Sequence, residues 1–314
     1  MKVNQAIDQF LQYIASVRRL SANTLKVYGD CLACFQTYLK EQQHIDDLQD
    51  VGSNMVREWQ VSLMERELRP ATVKKNLAAL RAWFKYLRRE EIVHEDIMCK
   101  IVSPKLPKHL PIFFRESETD HLYERANFPD GFEGDRDQLL LRLLYETGMR
   151  RSELAALTEG SVDLSALTLK VIGKRDKERF IPIENDLAQN IKRYLTLKKE
   201  REGTKVKYGR KQETTIVHSD NLLVRNNGKA ITSADIYTIV RRYMDVFSNA
   251  ERRSPHIFRH SFATQMLNEG ADIDAIKELL GHTDLAATEI YTHVTREHLK
   301  ETYNHAHPRA KKRR

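Results

Sequence analysis

The segment HIFRH, residues 256–260, holds two histidines and an arginine within five positions. On a helix, offsets of three and four bring His256, Arg259 and His260 to one face. Such a face could bind a metal through His256 and His260, or it could bind an anion. The hydrolytic metal pattern H-E-x-x-H supplies a glutamate as base, whereas here Ile257 follows His256 and Arg259 lies between the histidines. A guanidinium beside a bound dication is repelled by it, so the metal reading is weak. An anion makes use of all three side chains. The planar fork of arginine matches phosphate oxygens two at a time, and an imidazole beside it can donate a hydrogen bond or exchange a proton.

Other residues of matching chemistry lie along the chain. TGMRRSEL places Arg150 just past the break of an apolar helix, GKRDKE offers Lys174 and Lys177 at a turn, LLGHTD supplies His282, and Tyr291 follows nine residues later in EIYTHV. Singly, each has a plain structural reading: a helix-end arginine, a solvated turn lysine, a capping histidine, a half-buried tyrosine. Taken in order, Arg, Lys, His-x-x-Arg, His and Tyr resemble the signature of the tyrosine recombinases, also known as the phage integrase family. HIFRHSFATQMLNEGADIDAIKELLGH, TEIYTHV and HAHPRAKK are most similar to the Xer recombinases, which resolve chromosome dimers.

The resemblance implies a role for each residue. Tyr291 would attack a phosphodiester and form a 3′-phosphotyrosyl link, Arg150 and Arg259 would clamp the non-bridging oxygens, and His282 would donate a further hydrogen bond. His256 would assist proton transfer at the tyrosine, and Lys174 would protonate the departing 5′ oxygen; the residues alone leave Lys177 open as the alternative. Glu153 and His260 are read as supports that orient Arg150 and the phosphate-binding face. No cofactor is implied, neither ATP nor metal. The implied partners are double-stranded DNA at a dif-like site, a second Xer-type recombinase or further copies of this chain in a tetrameric synapse, and a septal DNA translocase as activator. The last residues, LKETYNHAHPRAKKRR, resemble the segment that docks in trans on a neighbouring protomer. Three rivals remain: the integrase or resolvase of a mobile element, a type IB topoisomerase, and a DNA-binding regulator without catalysis, against which the intact residue set speaks.

These residues need elements to hold them. The expected fold is mainly α with a small antiparallel β part: a helical SAM-like core-binding domain over 1–100, a Pro-rich linker over 101–111, and an α+β catalytic domain over 112–314. In the first part Val73, Leu77, Leu80, Phe84 and Leu87 form a narrow apolar stripe, as do Leu25, Tyr28, Leu32, Phe35 and Leu39 after the capping residue Ser21. Lys74, Arg81, Lys85 and Arg88 fall together beside the first stripe, and Lys74, Lys75, Arg81 and Lys85 are the candidates for contact with a DNA backbone. Pro104, Pro107 and Pro111 interrupt any helix and, with Lys105 and Lys108, mark the linker.

Beyond the linker, DQLLLRLLYETGMR reads as a central helix stopped by Gly148. LTLKVI and ERFIPI read as a β-hairpin around GKRDKE, with Pro182 marking an edge strand. Thr232 and Asp235 form a capping box, and Ser254 with Pro255 opens the helix that carries HIFRH. The basic stretch 198–211 is expected to be a solvated loop.

Bulk properties agree with such a protein. The 314 residues suffice for two domains, and the net charge of +8 makes a polyanionic partner plausible. No apolar run approaches a membrane span, and MKVNQAIDQF lacks a signal-peptide core, so a cytoplasmic location without membrane insertion is expected. Cys31 and Cys34 sit within an apparent helix with no second Cys/His pair near them, which reads as packing rather than zinc.

Overall fold

The computed structural model describes residues 1–105 apart from 19, then 114, 119–124, 127–173, 176–208, 212–247 and 254–281. Lys174, His282, Tyr291, Pro107, Pro111, Lys108 and the basic tail lie outside the described residues. The chain divides into two compact units, Met1–His109 and Leu110–Arg314.

The first unit is a helical bundle of α1 (Val3–Ser16), α2 (Ala22–Gln42), α3 (Ser53–Glu65) and α4 (Pro70–Arg89). Ser21 caps α2 by accepting the amide of Thr24, and Pro70 opens α4, where a missing N–H costs nothing. The expected stripe on α4 is buried from Val73 through Leu87 and meets Phe10 of α1, Phe35 of α2 and Trp59 of α3 in one core. Each such side chain contributes roughly 1.5–3 kcal/mol over its exposed state. Trp83 satisfies its indole N–H on the carbonyl of Ala6 at 3.2 Å, which fixes α4 against α1. Cys31 is buried in this packing, and Cys31, Cys34 and Cys99 are free thiols.

The second unit is built around α5 (Phe132–Thr147), buried along nearly its whole length. Charged residues are buried with the leucines, and each is paired. Arg142 donates to Glu146 at 2.7 Å and to Asp186 at 2.9 Å, and Arg136 pairs with Asp137 at 2.7 Å. After α5 come the short α6 (Arg151–Ala156) and an antiparallel sheet of order β1 (Val162–Asp163), β2 (Thr168–Ile172), β3 (Glu178–Pro182). Pro182, opposite Thr168, lies on the edge strand β3, where its lack of a donor is tolerated.

Helix α7 (Asn185–Glu200) packs on α5 and leads into a second hairpin, β4 (Lys205–Tyr208) and β5 (Gln212–Thr215). The expected solvated loop over 198–211 is therefore wrong in two respects. Strands occupy part of it, and Lys198 is buried, donating to the carbonyls of Ser219 and Asn221 at 2.6 Å and to Glu159. Helices α8 (Ser233–Phe247), α9 (Pro255–Asn268) and α10 (Ile273–Leu280) complete the described part. The capping box forms at α8: Thr232 N donates to Asp235 at 2.7 Å, and Asp235 N to Thr232 Oγ1 at 3.3 Å. Ser254 flanks α9 as expected, but its side chain makes no capping bond and Pro255 opens the helix. Among the described residues no helix is long and apolar enough to cross a membrane.

Candidate active site

The site begins where α5 stops. Gly148 takes the left-handed conformation at φ 59°, and a Cβ there would lie 2.6 Å from Cδ1 of Phe262 in α9 and 2.8 Å from Cδ2 of Leu280 in α10. Only glycine lets this turn lie so close to both helices. Two residues later Arg150 is extended as the N-cap of α6. Glu153, three residues on, reaches back so that Oε2 accepts the Arg150 amide at 2.7 Å and Oε1 accepts its Nη1 at 2.8 Å.

Three arginines from distant parts of the chain converge on the C-terminal end of α10. Arg179 Nε donates to the carbonyl of Leu279 at 2.7 Å, Arg259 Nη2 to that of Leu280 at 2.6 Å, and Arg150 Nη2 to that of Gly281 at 3.0 Å. These successive carbonyls carry the negative end of the helix dipole and have no intrahelical partners among the described residues, so cations suit them. Arg259 also holds the turn after α5, through Nη1 to the carbonyl of Gly148 at 2.9 Å.

Arg179 was not among the residues expected from the sequence. It also grips Glu153 with both terminal nitrogens, Nη1 at 3.1 Å and Nη2 at 2.8 Å. Its signal was present: Arg179 lies opposite Val171 and two residues before Ile181, so the period of a strand puts it on the inward face of the hairpin. An inward arginine needs a buried acceptor, and Glu153 is that acceptor.

Two of these guanidiniums, Arg150 and Arg179, thus share one carboxylate, with Arg259 nearby. Burial would raise the pKa of Glu153, but the hydrogen bonds from Arg179 and from the Arg150 backbone outweigh it and hold the carboxyl below its usual range. Burial and then the neighbouring Arg150 push Arg259 down to about 10, partly offset by Glu153. Arg259 stays protonated at neutral pH, but its charge is held at a cost, which an arriving anion would relieve. Arg150 and Arg259 each use only two of five N–H groups on described residues, so both retain donors for a ligand.

On α9, His256 is exposed and His260 half-buried, and neither hydrogen-bonds to a described residue. The arrangement therefore brings Arg150, Glu153 and Arg259 together and leaves the support expected of His260 without a visible contact. Lys177 is exposed, and its carbonyl accepts the amide of Gly173 at 2.8 Å to close the hairpin end. In the first unit Lys74, Lys75 and Lys85 are exposed on α4. Arg81 on the same helix is half-buried, and its terminal nitrogens bind Ser103 Oγ at 2.8 Å and the Ile101 carbonyl at 2.7 Å.

Comparison with known proteins matches residues 113–298 to the phage integrase family and residues 7–91 to the phage integrase N-terminal SAM-like domain. The Staphylococcus carnosus (strain TM300) tyrosine recombinase XerC is 35% identical over 310 residues, covering 99% of this chain and 99% of its own. The Bacillus subtilis (strain 168) tyrosine recombinase XerC is 34% identical over 311 residues, again covering 99% of each. Among solved structures, the XerH site-specific recombinase bound to difH substrate in a pre-cleavage complex superposes with a TM-score of 0.66 at 23% identity, over 96% of this chain and 82% of that one. With both units matched and full-length relatives above a third identical, the chain belongs to the phage integrase family of tyrosine recombinases.

Proposed function

We propose that this tyrosine recombinase breaks and rejoins duplex DNA at a dif-like site, through a 3′-phosphotyrosyl intermediate, in the manner that resolves chromosome dimers. The observation that carries the reading is the paired Arg150 and Arg259, both fixed on the end of α10 and both with donors to spare, with Arg150 sharing the Glu153 carboxylate with Arg179. Such a cluster suits the charge that develops on two non-bridging oxygens during attack at phosphorus. Each aimed donor is worth about 3 kcal/mol in a dry site.

In this scheme the Tyr291 phenolic oxygen bonds to phosphorus as the bond to the 5′ oxygen breaks. The phenolic proton passes to His256, and Lys174 supplies a proton to the leaving 5′ oxygen, with Lys177 as the alternative donor. His282 adds a hydrogen bond to a non-bridging oxygen, and His260 supports the phosphate-binding face of α9. Attack by a 5′-hydroxyl of another strand reverses the chemistry and completes exchange.

Lys74, Lys75 and Lys85, with Arg81 beside them, would lie along the DNA backbone. The active assembly is a tetramer on two sites, formed with a second Xer-type recombinase or with copies of this chain, and a septal DNA translocase would activate it in a cytoplasmic setting. The name of the XerH complex, which contains difH DNA, and the XerC relatives support this reading. The test uses a nicked suicide substrate carrying the target site from the source genome. The protein should become covalently attached, and Tyr291→Phe should abolish the adduct while DNA binding stays within about threefold. Equal loss of binding and adduct in Tyr291→Phe, or no adduct with the unaltered protein, overturns the assignment.

A further inference from the structure

The Glu153–Arg179 pair touches more than Arg150. A Cβ placed on Gly173 would lie 3.6 Å from Arg179 Nη1 and 3.7 Å from Glu153 Oε1. A Cβ placed on Gly281 would lie 3.2 Å from Arg179 Nη1 and 3.4 Å from its Cδ and Cζ. Gly173 immediately precedes Lys174 in the chain, and Gly281 immediately precedes His282. The pair therefore contacts Arg150 directly and packs against the two backbone points from which Lys174 and His282 depart. Taking Arg150, Lys174 and His282 in the roles proposed above, we infer that Arg179 is a positioning residue, which with Glu153 fixes Arg150 and the two glycines that precede Lys174 and His282 in the chain.

The geometry separates this role from phosphate binding. Arg179 spends Nε on Leu279 and both terminal nitrogens on Glu153, and its side chain is 10% exposed. It spans the edge strand β3 and the end of α10. A bidentate guanidinium holds direction as well as distance, which an ammonium cannot do. Gly281 adds to the constraint, because at φ 63° with Arg179 beneath it no side chain fits without moving the arginine.

The experiment measures adduct formation on the nicked substrate in single turnover, recording rate and final amplitude separately, with DNA affinity from a gel-shift titration. Arg179→Ala and Arg179→Lys in the full chain should each slow the rate by about 100-fold, the effect of displacing catalytic groups by about 1 Å. Final amplitude should match the unaltered protein, and affinity should stay within about threefold. A merely structural role would instead lower the amplitude and leave the rate of the active fraction unchanged. If Arg179→Ala loses its cooperative thermal transition, Arg179→Lys, which keeps the charge and most of the stem, decides the matter. Combining Arg179→Lys with Glu153→Gln should slow the rate by less than the product of the two single effects, since both break the Arg179–Glu153 pair. A wild-type rate in Arg179→Lys, a reduced amplitude at unchanged rate, or fully multiplicative effects in the double variant would overturn the inference. Failure of the unaltered protein to form any adduct would instead remove the phosphotyrosyl reading, and this inference with it.

Discussion

Replacing Glu153 by glutamine tests the charge balance of the site most directly. The Glu153 side chain is 4% exposed and is the carboxylate that ion-pairs with both Arg150 and Arg179. Removing one partner of a buried ion pair costs about 3–5 kcal/mol, because the remaining charge is left unpaired. Arg150 is 25% exposed and keeps some solvent. The lower end therefore applies, about 3 kcal/mol. For a unit of roughly 200 residues each kcal/mol moves the transition by about 2–4 °C, so the expected fall is about 6–12 °C. The sign of the pH dependence follows from the depressed pKa. A carboxyl that ionises more readily folded than unfolded stabilises the fold above its unfolded value near 4.5, and that contribution is lost as pH falls through the folded value. Glutamine has no such contribution to lose. In calorimetry of the full chain, the gap between unaltered protein and Glu153→Gln should stay level from pH 7 down to about 5 and narrow below about 4.5. A gap that stays level or widens toward the lowest pH at which the protein remains folded would show that the carboxylate charge does not hold Arg150 and Arg179 together.

Lys74→Ala combined with Lys85→Ala should flatten the dependence of log affinity on log salt by about 1.8 units, at about 0.9 per lost phosphate contact. Arg81→Ala should change that slope less than either lysine and lower the stability of the first unit by about 1–2 kcal/mol, since its terminal nitrogens hold Ile101 and Ser103. A salt slope that follows Arg81 and ignores the lysines would refute this division, and titration across a range of salt concentrations reads it. Gly148→Ala meets both a positive φ and two side chains closer than 3 Å. It should cost about 3 kcal/mol or more by urea denaturation at unchanged slope, and a loss under about 1 kcal/mol would mean that the turn after α5 yields easily.

The elements that carry the site were legible because each is specified locally. The stripe from Val73 to Leu87, the Thr232–Asp235 box, the Gly148 stop and the edge proline Pro182 all depend on neighbours within a turn or a strand, and each stands where its pattern puts it. Residues 198–211 misled because charge hid the period. Lys205, Val206, Lys207 and Tyr208 alternate as a strand should, yet the density of lysine and arginine reads as a solvated loop. Lys198 was misjudged for the same reason, since its three acceptors, Glu159, Ser219 and Asn221, come from other segments.

The arginine cluster lies on the far side of that boundary between local and tertiary information. Arg150 caps a short helix, Arg179 sits on a strand, and Arg259 sits within the first turns of α9, three settings with no local feature in common. What joins them is the C-terminal end of α10, which offers three successive carbonyls at the negative end of a dipole. Like charges in such proximity repel, so their approach needs acceptors fixed in advance by packing. Leu279 and Leu280 are buried, and Gly148 admits the turn after α5 against Leu280 and Phe262. The glycine at 148 therefore bears on the charge cluster as directly as the carboxylate at 153: one sets the packing that presents the carbonyls, the other balances the charge they cannot. A sequence displays the arginines and both of these residues, but their joint effect exists only once α5, β3, α9 and α10 have met.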